Sequence, residues 1–304
     1  MKSMSLSPKP VFTCQSHPEL GDNINGPSVI RIPDWINDAP GKYLMYFAHH
    51  EGDHIRMAFA DSPLGKWHLY SGGCLHLKDT PSLMGHIASP EAVIDDKDRY
   101  IRLYFHGYRQ GSTIDSNMMS DGQVSFCAKS KDGLHFKAGQ TELGPYYMRV
   151  FRRNDAWYAI AKNGYAGNIL LRSEDGLSVF ERGPELLPRS RHAGLQRCSN
   201  GRLWVYYSRI GDAPERILKS ELIMNGDWSH WHCGEVSEVK APEYDWEGAD
   251  CPQLPSKKGV AHNRVWQLRD PDVFSDIDGR HYLYYSIAGE KGIAVMELEE
   301  CGTV

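Results

Sequence analysis

The 304-residue chain has no apolar run approaching the ~20 residues a helix needs to cross a bilayer. Its opening, MKSMSLSPKPVFTC, has no apolar stretch of the kind a secretory signal carries, so a cytoplasmic location is expected. It also lacks any CxxC pair. The seven cysteines, at positions 14, 74, 127, 198, 233, 251 and 301, are widely spaced and odd in number, which predicts reduced thiols and not a disulfide framework. There is no surplus of basic charge: with a net charge of −5, neither nucleic acid nor a membrane surface is an expected partner. Long helical periodicity is scarce as well, which leaves strands to build the molecule.

Five aromatic, β-rich runs are present instead. They read GKYLMYFA, RYIRLYFHG, AWYAIAKNG, GRLWVYYSR and GRHYLYYSI, and aligning their ends puts Ala48, His106, Lys162, Ser208 and Ser286 in one column, 46 to 78 residues apart. Each run has a strand pattern before it (PSVIRI, PEAVID, YMRVFRR, AGLQRC, PDVFSD) and another after it. The turns that follow the third strand, DSPLGKW, SKDGLHF, SEDGLSVF and NGDW, have tight-hairpin chemistry and are expected to be structural. Repeats near 50 residues with several strands each predict an all-β fold, a single five-bladed β-propeller over residues 1–304. The fifth blade lacks a fourth strand after Leu298, and PVFTC at 10–14 is expected to supply it, which protects two sheet edges. A core of this size is within reach, since 41% of residues are hydrophobic.

In a propeller, the starts of the innermost strands and the hairpins joining strands two and three gather on one face. That face is expected to carry Glu91 and Asp270, together with His50, His86, His106, Arg149, Lys162, Arg191, His192, Arg209, Asp212, Glu215 and Arg269. The long connection before the last blade adds Trp246 and Glu247. So many ionisable groups at the end of a β-core must satisfy one another, and such clusters often mark sites. HHEGDH (49–54) is a weak metal candidate, because adjacent histidines in a strand point to opposite faces.

GPSVIRI, SPEAVID, ADSPLGKW and RDPDVF followed by an aromatic strand make the chain similar to the five-bladed glycosidases of family 43 and the related furanosidases and fructosidases. Mannoside phosphorylases share that propeller. The resemblance implies a central pocket holding a carboxylate base, a carboxylic acid and a third acidic residue, and a cation at the axis held by His192 or His86. The match breaks at specific positions. The family's base falls at Gly26 and its acid near Tyr146, with Glu142 two positions early, while its tuning aspartate falls at Glu91, which keeps the charge.

Glycoside hydrolysis uses two carboxyl groups across the scissile bond, and Glu91 and Asp270 are the first pair, with Asp212, Glu215 and Glu247 in reserve. The remaining residues are candidates for holding sugar hydroxyls or an anionic group, and Trp246 for stacking on a sugar ring. The expectation is a glycoside hydrolase of small oligosaccharides or glycosides that requires no cofactor. A phosphorylase with a basic phosphate cradle and a non-catalytic glycan-binding propeller remain open beside it.

Overall fold

The computed structural model describes residues 8–112, 122–164 and 166–299. The first seven residues, Tyr165 of the 162–168 hairpin and Cys301 lie outside them. The fold is an all-β five-bladed propeller, built as five four-stranded antiparallel meanders. After β1 (Lys9–Thr13), blade one runs β2 (Asn25–Arg31), β3 (Tyr43–Ala48), β4 (His54–Ala60) and β5 (His68–His76). Blade two is β6 (Leu83–Asp95), β7 (Tyr100–Arg109), β8 (Gln123–Ser130) and β9 (Lys137–Ala138). Blade three is β10 (Arg149–Arg153), β11 (Ala156–Asn163), β12 (Gly167–Ser173) and β13 (Glu181–Leu186). Blade four is β14 (Ser190–Arg197), β15 (Leu203–Arg209), β16 (Ile217–Ile223) and β17 (His232–Lys240). Blade five takes β18 (Arg269–Ser275), β19 (His281–Ser286) and β20 (Gly292–Leu298), and β1 completes it. Among the described residues the helical elements are short 3-10 turns, and no helix is long and apolar enough to cross a membrane.

The chain divides into two compact units, one of residues 28–185 and the other of residues up to 27 with those from 186 onward. In the first, the facing sides of blades one and two interlock through Leu44, Tyr46, Met57, Ile101, Leu103 and Phe105. A second layer joins blades two and three through Tyr104, Val150, Trp157 and Leu171. Each large side chain fully removed from water contributes about 1.5–3 kcal/mol. The strand 3–4 turns, expected to be scaffold, tie these layers together. In SKDGL and SEDGL, Asp132 accepts from the Leu134 and His135 amides and Asp175 from those of Leu177 and Ser178. Gly133 and Gly176 follow with φ of 76° and 70°, which a side chain would resist. Their carbonyls accept from the buried hydroxyls of Tyr46 and Tyr104 on the preceding blades, at 2.8 and 3.0 Å. One motif therefore clamps two successive blade pairs.

In the other unit, Tyr206, Leu268, Leu283, Tyr285 and Ala294 form the core of blades four and five. The N-terminal strand lies where the sequence puts it: Lys9 pairs with Val295 and Thr13 with Gly292. Pro10, which has no amide hydrogen to give, is tolerated because β1 is the outer strand. A Cβ on Gly292 would stand 2.3 Å from the Phe12 carbonyl oxygen. Gly292→Ala is therefore expected to cost about 1–3 kcal/mol by overpacking, concentrated at this seam. Amide exchange at residues 9–13 should accelerate more in the variant than exchange in β11, and equal change in both would contradict the assignment.

Two expectations need correction. The inner strands of blades two and four begin at Leu83 and Ser190, seven and three residues before the apolar runs at 90 and 193. Bulges carry polar residues inside the strand there, and alternation cannot register them. Five cysteines (14, 74, 127, 233 and 251) are free thiols, but Cys198 is disulfide-bonded, against the expectation of reduced thiols throughout.

Candidate active site

The inner strands start on a shared device. Gly26, Ser89 and Asp270 each have positive φ (60°, 50° and 49°) and each precedes a proline. In blades two and five the sheet register shifts across this point, between Ala88 and Glu91 and between Arg269 and Asp272. Blade four shifts at the equivalent place, between Ser190 and Ala193, with His192 where blades one, two and five have proline. These bulges place consecutive polar residues at the strand starts. They also separate the first carboxylate pair by position: Asp270 precedes its proline, whereas Glu91 follows Pro90 and shares its place with Ser28 and Asp272.

In the unit holding blades four and five, the bulges bring Asp270 and His192 together, with Asp270 Oδ1 2.8 Å from His192 Nδ1. Both side chains are buried, and Ser286 Oγ donates to Asp270 Oδ2 at 3.3 Å. Burial pushes the Asp270 carboxyl up, but His192 and then Arg191 outweigh it and hold the group below its ordinary value. Beside this pair, Arg191 forks onto Glu215, with Nε to Oε1 at 2.8 Å and Nη2 to Oε2 at 3.0 Å. Ser208 Oγ donates to the same Glu215 Oε1 at 2.6 Å. Arg269 lies 3.7 Å from Glu215 and donates to Glu290 Oε1 at 2.8 Å, while Asn23 donates to Glu290 Oε2 at 2.6 Å. Both arginines also reach the connection before the last blade, meeting at the Gly259 carbonyl, and Arg191 adds the Lys257 carbonyl. They therefore hold this segment across the strand starts they leave from.

The other sequence candidates of this unit have partners of their own. Arg209 pairs with Asp212 across one loop at 3.0 Å. Glu247 is fully buried and accepts from the Glu243 and Tyr244 amides and the Tyr285 hydroxyl, which makes it the anchor of its loop. Trp246 packs half-buried against the core with Tyr244 stacked on it at 5.1 Å.

In the unit of residues 28–185, Arg149 Nη1 donates to Glu91 Oε2 at 2.5 Å, Ser28 Oγ donates to the same oxygen at 3.3 Å, and the Val150 amide reaches Oε1 at 3.4 Å. His106 lies edge-on to Tyr147 at 4.4 Å and near His86 at 5.6 Å. Burial, with His50 second, lowers His86 to about 4, so it is neutral at physiological pH. His50 itself is half-buried in the hairpin after β3. Lys162 and Tyr146 lie at the inner end of a cleft of about 560 Å³, with Arg109, paired to Glu142 at 2.6 Å, also on its wall. Among the described residues, no group of three or more His, Cys, Asp or Glu is arranged to hold a metal ion. His192, one of the two alternative histidines for holding a cation, has its Nδ1 on Asp270 Oδ1.

Glu290, Ser28 and Gln267, whose side-chain oxygen accepts from Arg269 Nε at 3.0 Å, are not among the sequence candidates. Glu290 was signalled only as the charge in the AGEK hairpin, and Ser28 only as the residue after Pro27, equivalent to Glu91.

No family model matches the chain. It is similar to the uncharacterized protein R118 of Acanthamoeba polyphaga mimivirus, 34% identical over 318 residues that cover 92% of this chain and 84% of that protein. Among solved structures it is similar to an endo-arabinase from Bacteroides thetaiotaomicron, with TM-score 0.63 and 11% identity over 97% of this chain and 100% of that one. A thermostable family-43 glycoside hydrolase matches with TM-score 0.57 and 13% identity, over 92% and 91%. At these identities the structural likeness is one of fold.

Proposed function

Starting from a chain that belongs to one family with the mimiviral protein R118 and has the fold of propeller glycosidases, we propose that it acts on glycans, as a hydrolase of small oligosaccharides or glycosides. The observation that carries this reading is the buried Asp270–His192 pair on a positive-φ bulge. Hydrolysis needs one carboxylate to activate water and a second carboxyl to serve the leaving oxygen. Asp270, kept ionised at the start of an inner strand, suits the first task. Glu91, held by Arg149 within the unit of residues 28–185, is the other carboxyl candidate, and turnover by Glu91→Gln tests it.

Water is favoured over phosphate as the acceptor by the state of the arginines. Arg149, Arg191, Arg209 and Arg269 are committed to Glu91, Glu215, Asp212 and Glu290. Each donates to one of the protein's own carboxylates, where a phosphate cradle would offer its N–H groups to the ligand. The same engagement of Glu91 on both oxygens favours a second reading, glycan binding without turnover.

A panel of neutral and acidic glycosides, assayed with and without phosphate, separates the three. The expected result is turnover of at least one neutral glycoside at a rate that phosphate does not change. Strict dependence on phosphate would make the protein a phosphorylase. Saturable glycan binding with no turnover anywhere on the panel would leave only the binding function.

A further inference from the structure

Away from the inner strands, a cavity of about 410 Å³ opens at the outer edge of blade two. It exists because the fourth strand there is cut short. The two residues of β9 pair with Ala128 and Lys129, and the Gly139 amide still reaches the Cys127 carbonyl at 2.9 Å. The chain then arcs outward and returns only where the Leu143 amide meets the Ser125 carbonyl, also at 2.9 Å. Residues 140–142 thus leave a hollow where a full-length strand would have lain against β8.

Its two ends differ in chemistry. The floor is apolar: Cys127 and Leu143 are buried and Leu177 half-buried. Burial raises the Cys127 thiol to about 12, so this sulfur is an uncharged packing group and not a nucleophile. Lys129 and the exposed Lys137 line the mouth. Lys129 lies 5.5 Å above the Tyr100 ring that forms one wall, and Lys131 lies 5.4 Å from the same ring. Among the described residues no Asp or Glu lines the cavity. Cations therefore surround an apolar floor with no carboxylate in the lining to offset them.

We propose that this hollow is a binding site for a small amphipathic anion, a carboxylate or sulfonate on a short apolar or aromatic body. The ammonium groups of Lys129 and Lys137 take the headgroup, while Leu143, Leu177 and the Tyr100 ring take the body. Small-molecule pockets span about 300–1,000 Å³, and this one is of that size. A sugar is a poor candidate, because the floor has few polar atoms to meet its hydroxyls. The site is independent of the glycan reading, since its residues come from the second, third and fourth strands of blade two and from turns, and from no inner strand.

The test is fluorescence titration of the full-length protein with 1-anilinonaphthalene-8-sulfonate, followed by competition with octanoate and with 1-octanol. The expected result is one saturable site from which octanoate displaces the probe and the alcohol does not. Lys137→Glu, an exposed substitution, and Lys129→Gln, which removes charge without reversing it, should together weaken binding by about 10-fold or more. Their unchanged thermal unfolding would show that the fold is intact. Absence of a saturable site, equal competition by octanol, or binding untouched by both lysine variants would overturn the proposal.

Discussion

Asp270→Asn is expected to lower glycoside turnover by ~10²-fold or more while leaving the protein folded. The substitution suits this position. Its φ of 49° lies in the left-handed region, where asparagine and aspartate are the best tolerated residues after glycine. Alanine or valine would add backbone strain and mix a folding defect with a catalytic one. Asparagine keeps a polar partner for His192 and Ser286 but cannot take a proton from water. The pH profile supplies a second readout. Burial acts upward on this carboxyl, but His192 and Arg191 hold it below 3.8, so in the wild type any acid limb that belongs to Asp270 lies below that pH. Glu91→Gln should fall by a similar factor if Glu91 is the second carboxyl. Folded Asn and Gln variants that both keep wild-type turnover would remove the pair and send the search to the acids of the surrounding loops.

The aromatic runs made the fold legible because they are the second strands of the blades, buried along almost their whole length, so their continuous apolar character shows without reference to the rest of the molecule. The column Ala48, His106, Lys162, Ser208 and Ser286 is buried at every blade. The site was legible only as a set of residue types. What the sequence hid was register. Asp270 and Glu91 both flank a proline, but on opposite sides of it, and a bulge intervenes in each strand. The repeated X-Pro step at Gly26, Ser89 and Asp270 was the available clue, since a residue held at positive φ before proline is a backbone constraint and not a catalytic signature. The arginines were hidden for a different reason. Whether Arg191 meets a ligand or Glu215 depends on which loop lies opposite it, and a sequence separation of 24 positions carries no periodic trace of that choice. The fork onto Glu215 turns what read as an anion cradle into an internally neutralised cluster.

That cluster carries the second large prediction. Glu215→Gln should destabilise the protein by about 3–5 kcal/mol, because it keeps the buried guanidinium of Arg191 and removes the charge that compensates it. Replacing both partners, with Glu215→Leu and Arg191→Met, should recover part of that loss, since a buried pair exchanged for apolar side chains is often neutral. Recovery stays incomplete because Arg191 also holds the Lys257 and Gly259 carbonyls, and Arg269 shares Glu215. Acid dependence follows from the direction of the shift. Burial acts upward on Glu215, but Arg191 and Arg269 outweigh it, and the folded-state value lies below the ordinary 4.5. Between the two values the unfolded chain binds more protons than the folded one, so stability rises with pH there. The contribution is complete above 4.5 and is lost as pH falls through the folded value. Urea unfolding midpoints measured from about pH 6 down to about pH 3 should fall more steeply for wild type than for Glu215→Gln, which has no proton to gain. Parallel declines in the two proteins would mean that the Arg191–Glu215 pair is not what acid breaks.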